Sequence, residues 1–306
     1  MNNKTAIVIL NYKNYQETIN CINSIYTYVP KEIFSIIVVD NASGNNSLDH
    51  ISSEFDSQHT VINIDTATPT DAADIILIQN NKNNGYAAGN NLGLKLGHKL
   101  GFKYLMVLNN DTLFIDDALT TLKNTLDKHN NVLCIGPLLL KGDGISIDYN
   151  CAKRRPTFLD IFRASYFGKW LKTDAWKNEY YYVHKHKQLN HPIEVDIISG
   201  SCMLFDAAKL ARIDFFEDKT FLYYEEAILH EKGKAFNYIM MLDPNARVIH
   251  LGAQSTKSTN ASFVLNCEYN SLNLYLKKYR KYNKLQSGLL LLSNKLFIKA
   301  YTLLKK

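Results

Sequence analysis

Four short apolar runs, each closed by small polar residues, constrain this chain more than any other feature. They are AIVIL at 6–10, SIIVV at 35–39, IILI at 75–78 and YLMVLN at 104–109. Each is too short for a helix and reads as a buried strand. Helical patterns lie between them. Ile19, Ile22, Ile25 and Tyr26 follow the first run, with Pro30 beyond. Ala88, Leu92, Leu96 and Leu100 follow the third, with Gly89, Gly93, Gly97 and Gly101 on a neighbouring stripe. A further helix runs from about Asp116 to Lys128. Strand alternating with helix predicts an α/β class with a Rossmann-like, mostly parallel central sheet flanked by helices.

Four glycines along one helical stripe weaken a helix by ~1 kcal/mol each relative to Ala, so close packing against the sheet is the expected compensation. Residues 56–74 interrupt the rhythm and read as a surface insertion. An apolar stretch over 132–140 is broken by Gly136-Pro137. The pattern then loosens through Trp170, Trp176 and Tyr180 to Tyr182. A strand over 195–205 is interrupted at Ser199-Gly200-Ser201, another over 236–242 stops at Pro244, and a last short one covers 247–252. The expected organisation is a catalytic-type domain over 1–260, with a nucleotide-binding half (1–140) and an acceptor half (141–260). A basic amphipathic helical tail follows over 261–306. In the tail Leu272, Tyr275, Leu276 and Tyr279 share one face, as do Leu285, Leu289, Leu292 and Leu296, and Gly288 is a candidate separator of two helices.

Charge sharpens that division. The 306 residues carry a net +6, yet residues 269–306 hold nine Lys or Arg and no Asp or Glu. Taking those nine away leaves −3 for the rest, so the basicity belongs to the tail. A helical cap with a solvated basic face fits this pattern, and so does a helix drawn to an anionic membrane surface. Without a basic face on the domain itself, nucleic acid is not an expected partner. Five dispersed cysteines form no CxxC, which argues for reduced thiols and a cytoplasmic setting. No run approaches the ~18 apolar residues of a membrane span. The run over 6–10 is too short for a signal peptide.

Chemistry gathers at the strand ends. Asn11-Tyr12, Asp40-Asn41, the loop from Asn84 through Gly85 and Gly89 to Asn90, and Asn109-Asn110-Asp111 all follow apolar runs. In a parallel sheet these ends emerge on one edge, where open α/β sheets bind ligands. Asp40 suits a base edge or a ribose hydroxyl, a Gly-rich helix start suits phosphate, and Asp111 suits a divalent cation held against a diphosphate. Turn chemistry and capping account for any one cluster alone. No GxGxxG follows the first strand, which counts against a dinucleotide oxidoreductase. Glu225-Glu226 fits either a favoured helix start or a general base. His250 fits either a core histidine or a metal ligand. Arg154 and Arg155, with the aromatics nearby, suit either phosphate and sugar contacts or plain packing.

In order and spacing these residues resemble the family-2 nucleotide-sugar glycosyltransferases of GT-A fold, most closely the bacterial rhamnosyltransferase-like branch. The matching stretches are VILNY (8–12), VVDNAS (38–43), NNGYAAGNN (83–91), LNND (108–111), SGSCML (199–204), FLYYEE (221–226) and HLGAQS (250–255). The resemblance implies an inverting, metal-dependent transfer from a UDP- or dTDP-sugar to a glycan or lipid-linked glycan in bacterial surface polysaccharide synthesis. It implies that Asp40 contacts the nucleobase, with Asn11, Tyr12 and Asn41 beside it. Asn84, Gly85, Gly89, Asn90 and Asn110 would lie along the nucleoside and diphosphate. Asp111 and His250 would hold Mg²⁺ or Mn²⁺, and Glu226, adjoining Glu225, would be the catalytic base. Relatives acting on lipid-linked glycans favour the membrane reading of the tail, on the inner face of the cell membrane. The chain departs from the family pattern in two ways. The acid pair is Glu-Glu where members carry Glu-Asp, and Ile228 stands where they often carry a further acid. Those departures are what favours the other expectation, a non-catalytic nucleotide-sugar or glycan-binding member of an assembly complex.

Overall fold

The computed structural model describes residues 2–64, 67–164, 171–183, 190–252 and 261–304. Trp170 and residues 253–255 of the last matching stretch lie outside them. The first half runs β1 (Asn2–Asn11), α1 (Tyr15–Tyr28), β2 (Phe34–Asp40), α2 (Ser47–Phe55), β3 (Val61–Asn63), β4 (Ile75–Gln79) and α3 (Tyr86–Lys99). It continues through β5 (Phe102–Asn109), β6 (Thr112–Phe114), α4 (Ala118–Asp127) and β7 (Val132–Leu140). The second half runs β8 (Ala152–Lys153), α5 (Phe158–Ala164), α6 (Asp174–Tyr180), β9 (Ile193–Val195), β10 (Ile197–Ile198) and β11 (Cys202–Asp206). Then come α7 (Ala207–Arg212), α8 (Glu225–Lys234), β12 (Ile239–His250), α9 (Ala261–Leu274) and α10 (Lys284–Leu304).

Both halves share one sheet, ordered β3-β4-β2-β1-β5-β11-β7-β12-β6, with β9 beside β12. The four expected strands are its parallel centre. Ile9 pairs with Val38 on one side and Leu108 on the other, and Val38 pairs in turn with Leu77. Their side chains are buried on both faces, as near-continuous apolar runs require. Each fully buried Ile, Val or Leu contributes about 1.5–3 kcal/mol, so this centre dominates stability. Strand β11 enters antiparallel between β5 and β7, which makes the sheet mixed.

Several local expectations change, but the packing of α3 is as expected: its glycine stripe faces the sheet, with Leu92 41% exposed and Gly89, Gly93 and Gly97 buried. A Cβ on Gly93 would lie 2.5 Å from Val8 Cγ1, so the helix approaches β1 as only glycine allows. Gly101 is not part of this stripe; at φ +82° it terminates the helix. Residues 56–74 are not wholly an insertion, since Val61–Asn63 adds an edge strand to β4. Strand β7 runs unbroken through Gly136-Pro137. Proline is tolerated there because β11 pairs with β7 only at Cys134 and Ile135, and the β12 register slips just past Asp243, opposite Pro137. The two expected strands around Pro244 are likewise one strand, Ile239–His250, carrying that irregularity.

The C-terminal helices divide elsewhere than Gly288, which lies inside α10. After α9 the backbone widens into a π-helical stretch, Tyr275–Arg280, and Lys281 turns left-handed at φ +51°. Leu272, Tyr275, Leu276 and Leu290 pack with Ile161, Ile197, Ala227 and Ile228 in a second apolar cluster. Arg155 Nε lies 2.7 Å from Glu231 Oε1, and Tyr275 donates to the same carboxylate at 3.2 Å. All five cysteines are buried and free. Among the described residues no helix is long and apolar enough to cross a membrane.

Candidate active site

The carboxyl edge of the parallel strands gathers the expected residues. Asn11 lies opposite Asp40, Leu10 opposite Asn109, and Asp40 opposite Gln79. Asp40 is buried and heavily bonded: Asn11 Nδ2 donates to it at 2.6 Å, Gln79 Nε2 at 2.9 Å and the Ser43 N–H at 3.0 Å. The Ser43 hydroxyl donates as well. Four donors fix the orientation of the carboxylate. Asp40 lines a cavity of about 510 Å³ with Ala42, Gly44, Asn63, Gln79 and Asn80. Tyr12 is half-buried beside this edge, with Lys13 Nζ 5.1 Å from its ring centre.

A ladder of side chains ties the edge together. Thr18 donates to Asn11 at 2.8 Å, and Asn110 Nδ2 donates to Thr18 at 3.2 Å. Asn41 Nδ2 donates to Asn83 at 2.9 Å and to the Gly85 carbonyl at 3.2 Å. Thr18, Ser43, Gln79 and Asn83 were not singled out from sequence, because single polar residues near turns carry no distinguishing pattern. Asn84 is exposed at the loop tip. Gly89 occupies a packing position, where a Cβ would meet Leu10 Cδ1 at 2.6 Å. Asn90 is fully buried, with Nδ2 donating to the Tyr86 carbonyl and Oδ1 unpartnered among the described residues.

Gly85 carries the sharpest constraint. Its φ of +93° and ψ of −175° lie in a region open essentially to glycine alone. A Cβ there would lie 2.2 Å from the Phe221 carbonyl oxygen, which accepts from the Tyr86 N–H at 2.9 Å. The glycine loop is therefore seated directly on the segment leading to Glu225 and Glu226. That segment is itself strained: Tyr223 and Tyr224 sit at φ +68° and +65°. Such residues cost on the order of 1–3 kcal/mol each and cluster at functional sites.

The two glutamates have different surroundings. Glu225 is 7% exposed, with Oε2 unpartnered among the described residues. Burial, reinforced by the neighbouring Glu226, raises its pKa to about 8. Glu226 accepts from the Gly200 N–H at 3.1 Å and lines a second cavity, of about 210 Å³. The Gly200 carbonyl in turn accepts from the Tyr86 hydroxyl at 2.5 Å. The main chain of Gly200, through the two peptides that flank its Cα, thus connects the start of α3 to Glu226.

Asp111 and His250 come together: Leu251 N–H donates to the Asp111 carbonyl at 2.9 Å, and His250 Nε2 stands 3.5 Å from Asp111 Oδ1. Behind the ring, Asp148 lies 3.5 Å from Nδ1, a residue the sequence did not single out. Burial alone would lower the His250 pKa, but Asp111 and Asp148 together raise it to about 9. No group of three or more metal-ligating side chains assembles among the described residues. One carboxylate beside an imidazole, with a carboxylate behind its other nitrogen, still fits a divalent ion that takes its remaining ligands from substrate phosphates. Arg154 and Arg155 are engaged within the protein, by Asp160 at 3.1 Å and Glu231 at 2.7 Å.

A mixed sheet of this order, with a ligand-sized cavity at the carboxyl edge of its parallel centre, is the GT-A type of α/β fold. Solved structures agree. The fold matches GalNAc-T7 with UDP, GalNAc and Mn²⁺ at a TM-score of 0.60 and 13% identity, over 90% of this chain and 49% of that one. It matches the mannosyltransferase PcManGT from Pyrobaculum calidifontis, in complex with GDP-Man and Mn²⁺, at 0.57 and 14%, over 96% and 69%. The chain belongs to glycosyl transferase family 2, whose family model matches residues 6–213. It is 24% identical over 223 residues to the low-salt glycan biosynthesis hexosyltransferase Agl10 of Haloferax volcanii, covering 72% of this chain and 58% of that protein. It is 25% identical over 162 residues to an N-acetylglucosaminyl-diphospho-decaprenol L-rhamnosyltransferase of Mycobacterium tuberculosis, covering 52% and 50%. The chain thus spans only about half the length of these curated relatives.

Proposed function

We propose that this chain is an inverting glycosyltransferase that moves a sugar from a UDP- or dTDP-sugar onto a glycan or lipid-linked glycan in surface polysaccharide assembly. The observation that carries the reading is the Gly200 main chain, whose carbonyl and N–H join the start of α3, beside the Asp40 edge, to Glu226 in its own cavity. In this reading Asp40 and Asn11 orient the nucleobase, and the loop through Gly85 to Asn90 lies along the nucleoside diphosphate. Glu226 accepts the proton of an acceptor hydroxyl as that oxygen attacks the anomeric carbon. The new carbon–oxygen bond forms as the bond to the diphosphate breaks on the opposite face, so configuration inverts. Asp111 and His250 would hold Mg²⁺ or Mn²⁺, which supplies charge neutralisation to the departing diphosphate.

The tail supports peripheral membrane placement at the cytoplasmic face. Helix α10 turns Leu285, Leu289, Leu292 and Leu296 to solvent beside Lys284, Lys295 and Lys299. That pairing of apolar face and cations suits an anionic leaflet.

The test is thermal stabilisation by UDP, dTDP, GDP and NAD, each with and without Mn²⁺. A ligand at ~100 times its dissociation constant adds about 2.7 kcal/mol. The expected result is a metal-dependent shift with UDP or dTDP. Glu226→Gln should retain that shift while losing transfer, and full transfer by this variant would remove Glu226 from its role.

A further inference from the structure

The cavity beside Glu226 takes one lining residue, Glu268, from helix α9, which the family match over residues 6–213 does not include. Its lining places Lys153, Tyr180, Tyr223 and Glu226 of the domain together with Glu268 of α9. A third carboxylate there, Asp160, is fully engaged by Arg154, Thr157 and Trp176. Glu268 is half-buried and receives no hydrogen bond from another described residue. Helix α9 also braces the opposite wall: Ser271 donates to the Leu222 carbonyl at 2.8 Å, just ahead of the left-handed Tyr223 and Tyr224. Tyr223 remains 41% exposed, leaving an aromatic surface between the two glutamates.

Building on the transferase reading above, we propose that this cavity is the acceptor subsite, that it takes one neutral, hydroxyl-rich sugar ring, and that Glu268 sets this preference. Glu268 accepts hydrogen bonds from the ring hydroxyls on the side away from Glu226, and Tyr223 offers a face for stacking. Among the lining side chains Glu226 and Glu268 face one lysine, Lys153, with Lys172 acting on Glu268 although it does not line the cavity. The anion of a uronic acid or a phosphorylated ring would therefore lie between two carboxylates. The tail therefore acts as a specificity element, beyond any contact it makes with a membrane.

The full chain with Mn²⁺ and UDP or dTDP would be titrated with p-nitrophenyl pyranosides of glucose, galactose, N-acetylglucosamine and rhamnose, and with p-nitrophenyl glucuronide, by saturation-transfer NMR. A neutral glycoside should bind at least about tenfold tighter than the glucuronide, and Glu268→Gln should weaken it by about tenfold, the loss expected for one charge-assisted hydrogen bond. Glu268→Lys should reverse the preference toward the glucuronide. Tyr223→Ala, at an exposed side chain, should weaken neutral glycosides without a change in melting temperature. Absence of glycoside binding, equal binding by Glu268→Gln, or an unchanged preference in Glu268→Lys would overturn the assignment. Failure of the transferase reading looks different: glycosides would bind, but no nucleoside diphosphate would shift the melting temperature.

Discussion

Replacing Gly85 by Ala tests the contact on which the glycine loop and the glutamate segment depend. Two costs add. The backbone at φ +93° and ψ −175° is open essentially to glycine, which costs an alanine about 1–3 kcal/mol. The added Cβ would fall 2.2 Å from the Phe221 oxygen and 2.5 Å from its Cα. These are backbone atoms, so no side-chain rotation relieves the clash. Phe221 must retreat, and the hydrogen bond from Tyr86 N–H is lost, worth about 0.5–1.5 kcal/mol. With the residual overlap the sum is about 3–5 kcal/mol. At roughly 2–4 °C per kcal/mol for chains somewhat shorter than this one, melting should fall by about 10 °C. Gly101→Ala is the matched control: its φ is +82°, but nothing lies within 4 Å of its would-be Cβ, so only the conformational cost applies. That cost is about 1–2 kcal/mol. Calorimetry on both variants, with donor-analogue binding measured alongside, separates the terms. If Gly85→Ala melts within 2 °C (about one kcal/mol) of Gly101→Ala, the steric coupling to Phe221 is wrong.

Three further outcomes follow from the same geometry. Glu225 ionises near 4.5 when unfolded and about 8 when folded, so stability should fall as pH rises from 4.5 to 8 and then level off. Glu225→Gln should remove that fall, gaining a few kcal/mol over the parent at pH 8 and little at pH 4.5 in urea melts; a pH-independent difference would contradict the burial argument. Asp111→Ala should abolish the Mn²⁺-dependent part of UDP or dTDP stabilisation while leaving the ligand-free melting temperature within a few degrees, and a retained Mn²⁺ effect would exclude Asp111 as a ligand. Replacing Leu289 and Leu292 together by Ser should reduce co-flotation with vesicles containing phosphatidylglycerol without changing nucleotide binding, whereas undiminished flotation would place membrane contact elsewhere.

The parallel centre was legible because burial there is achieved by apolar side chains in unbroken runs, a signal that needs no partner to be read. The glycine face of α3 is legible for a different reason: glycines along one helical stripe cost stability unless the helix packs closely, and Gly89, Gly93 and Gly97 do so against Leu10, Val8 and Leu105. Strand β12 was split at Pro244 because a proline ordinarily ends a strand, and the register slip that accommodates it exists only between strands. At the site, Asn11, Asp40 and Asp111 stand out in the sequence through their places at strand ends, and His250 through the family resemblance. Asp148 and Thr18 do not, since their contacts join a loop and the helix α1 to the strand ends only in the assembled sheet.

The departure at Ile228 has a physical reading once the tail is in place. Glu225 and Glu226 open α8, and one turn further the helix turns Ile228 into the cluster formed with Leu272, Tyr275, Leu276 and Leu290. Ile228 is fully buried there. An acid at this position would lose its water without gaining a partner, at a cost of several kcal/mol if it stayed charged. With α9 and the π-helical stretch packed as they are, the position must therefore be apolar. The same packing brings Glu268 of α9 into the lining of the cavity that Glu226 borders, so both features follow from the seating of the tail on the glutamate helix. Read this way, Ile228 marks where the domain accepts its C-terminal wall, and it does not by itself argue for a lost activity.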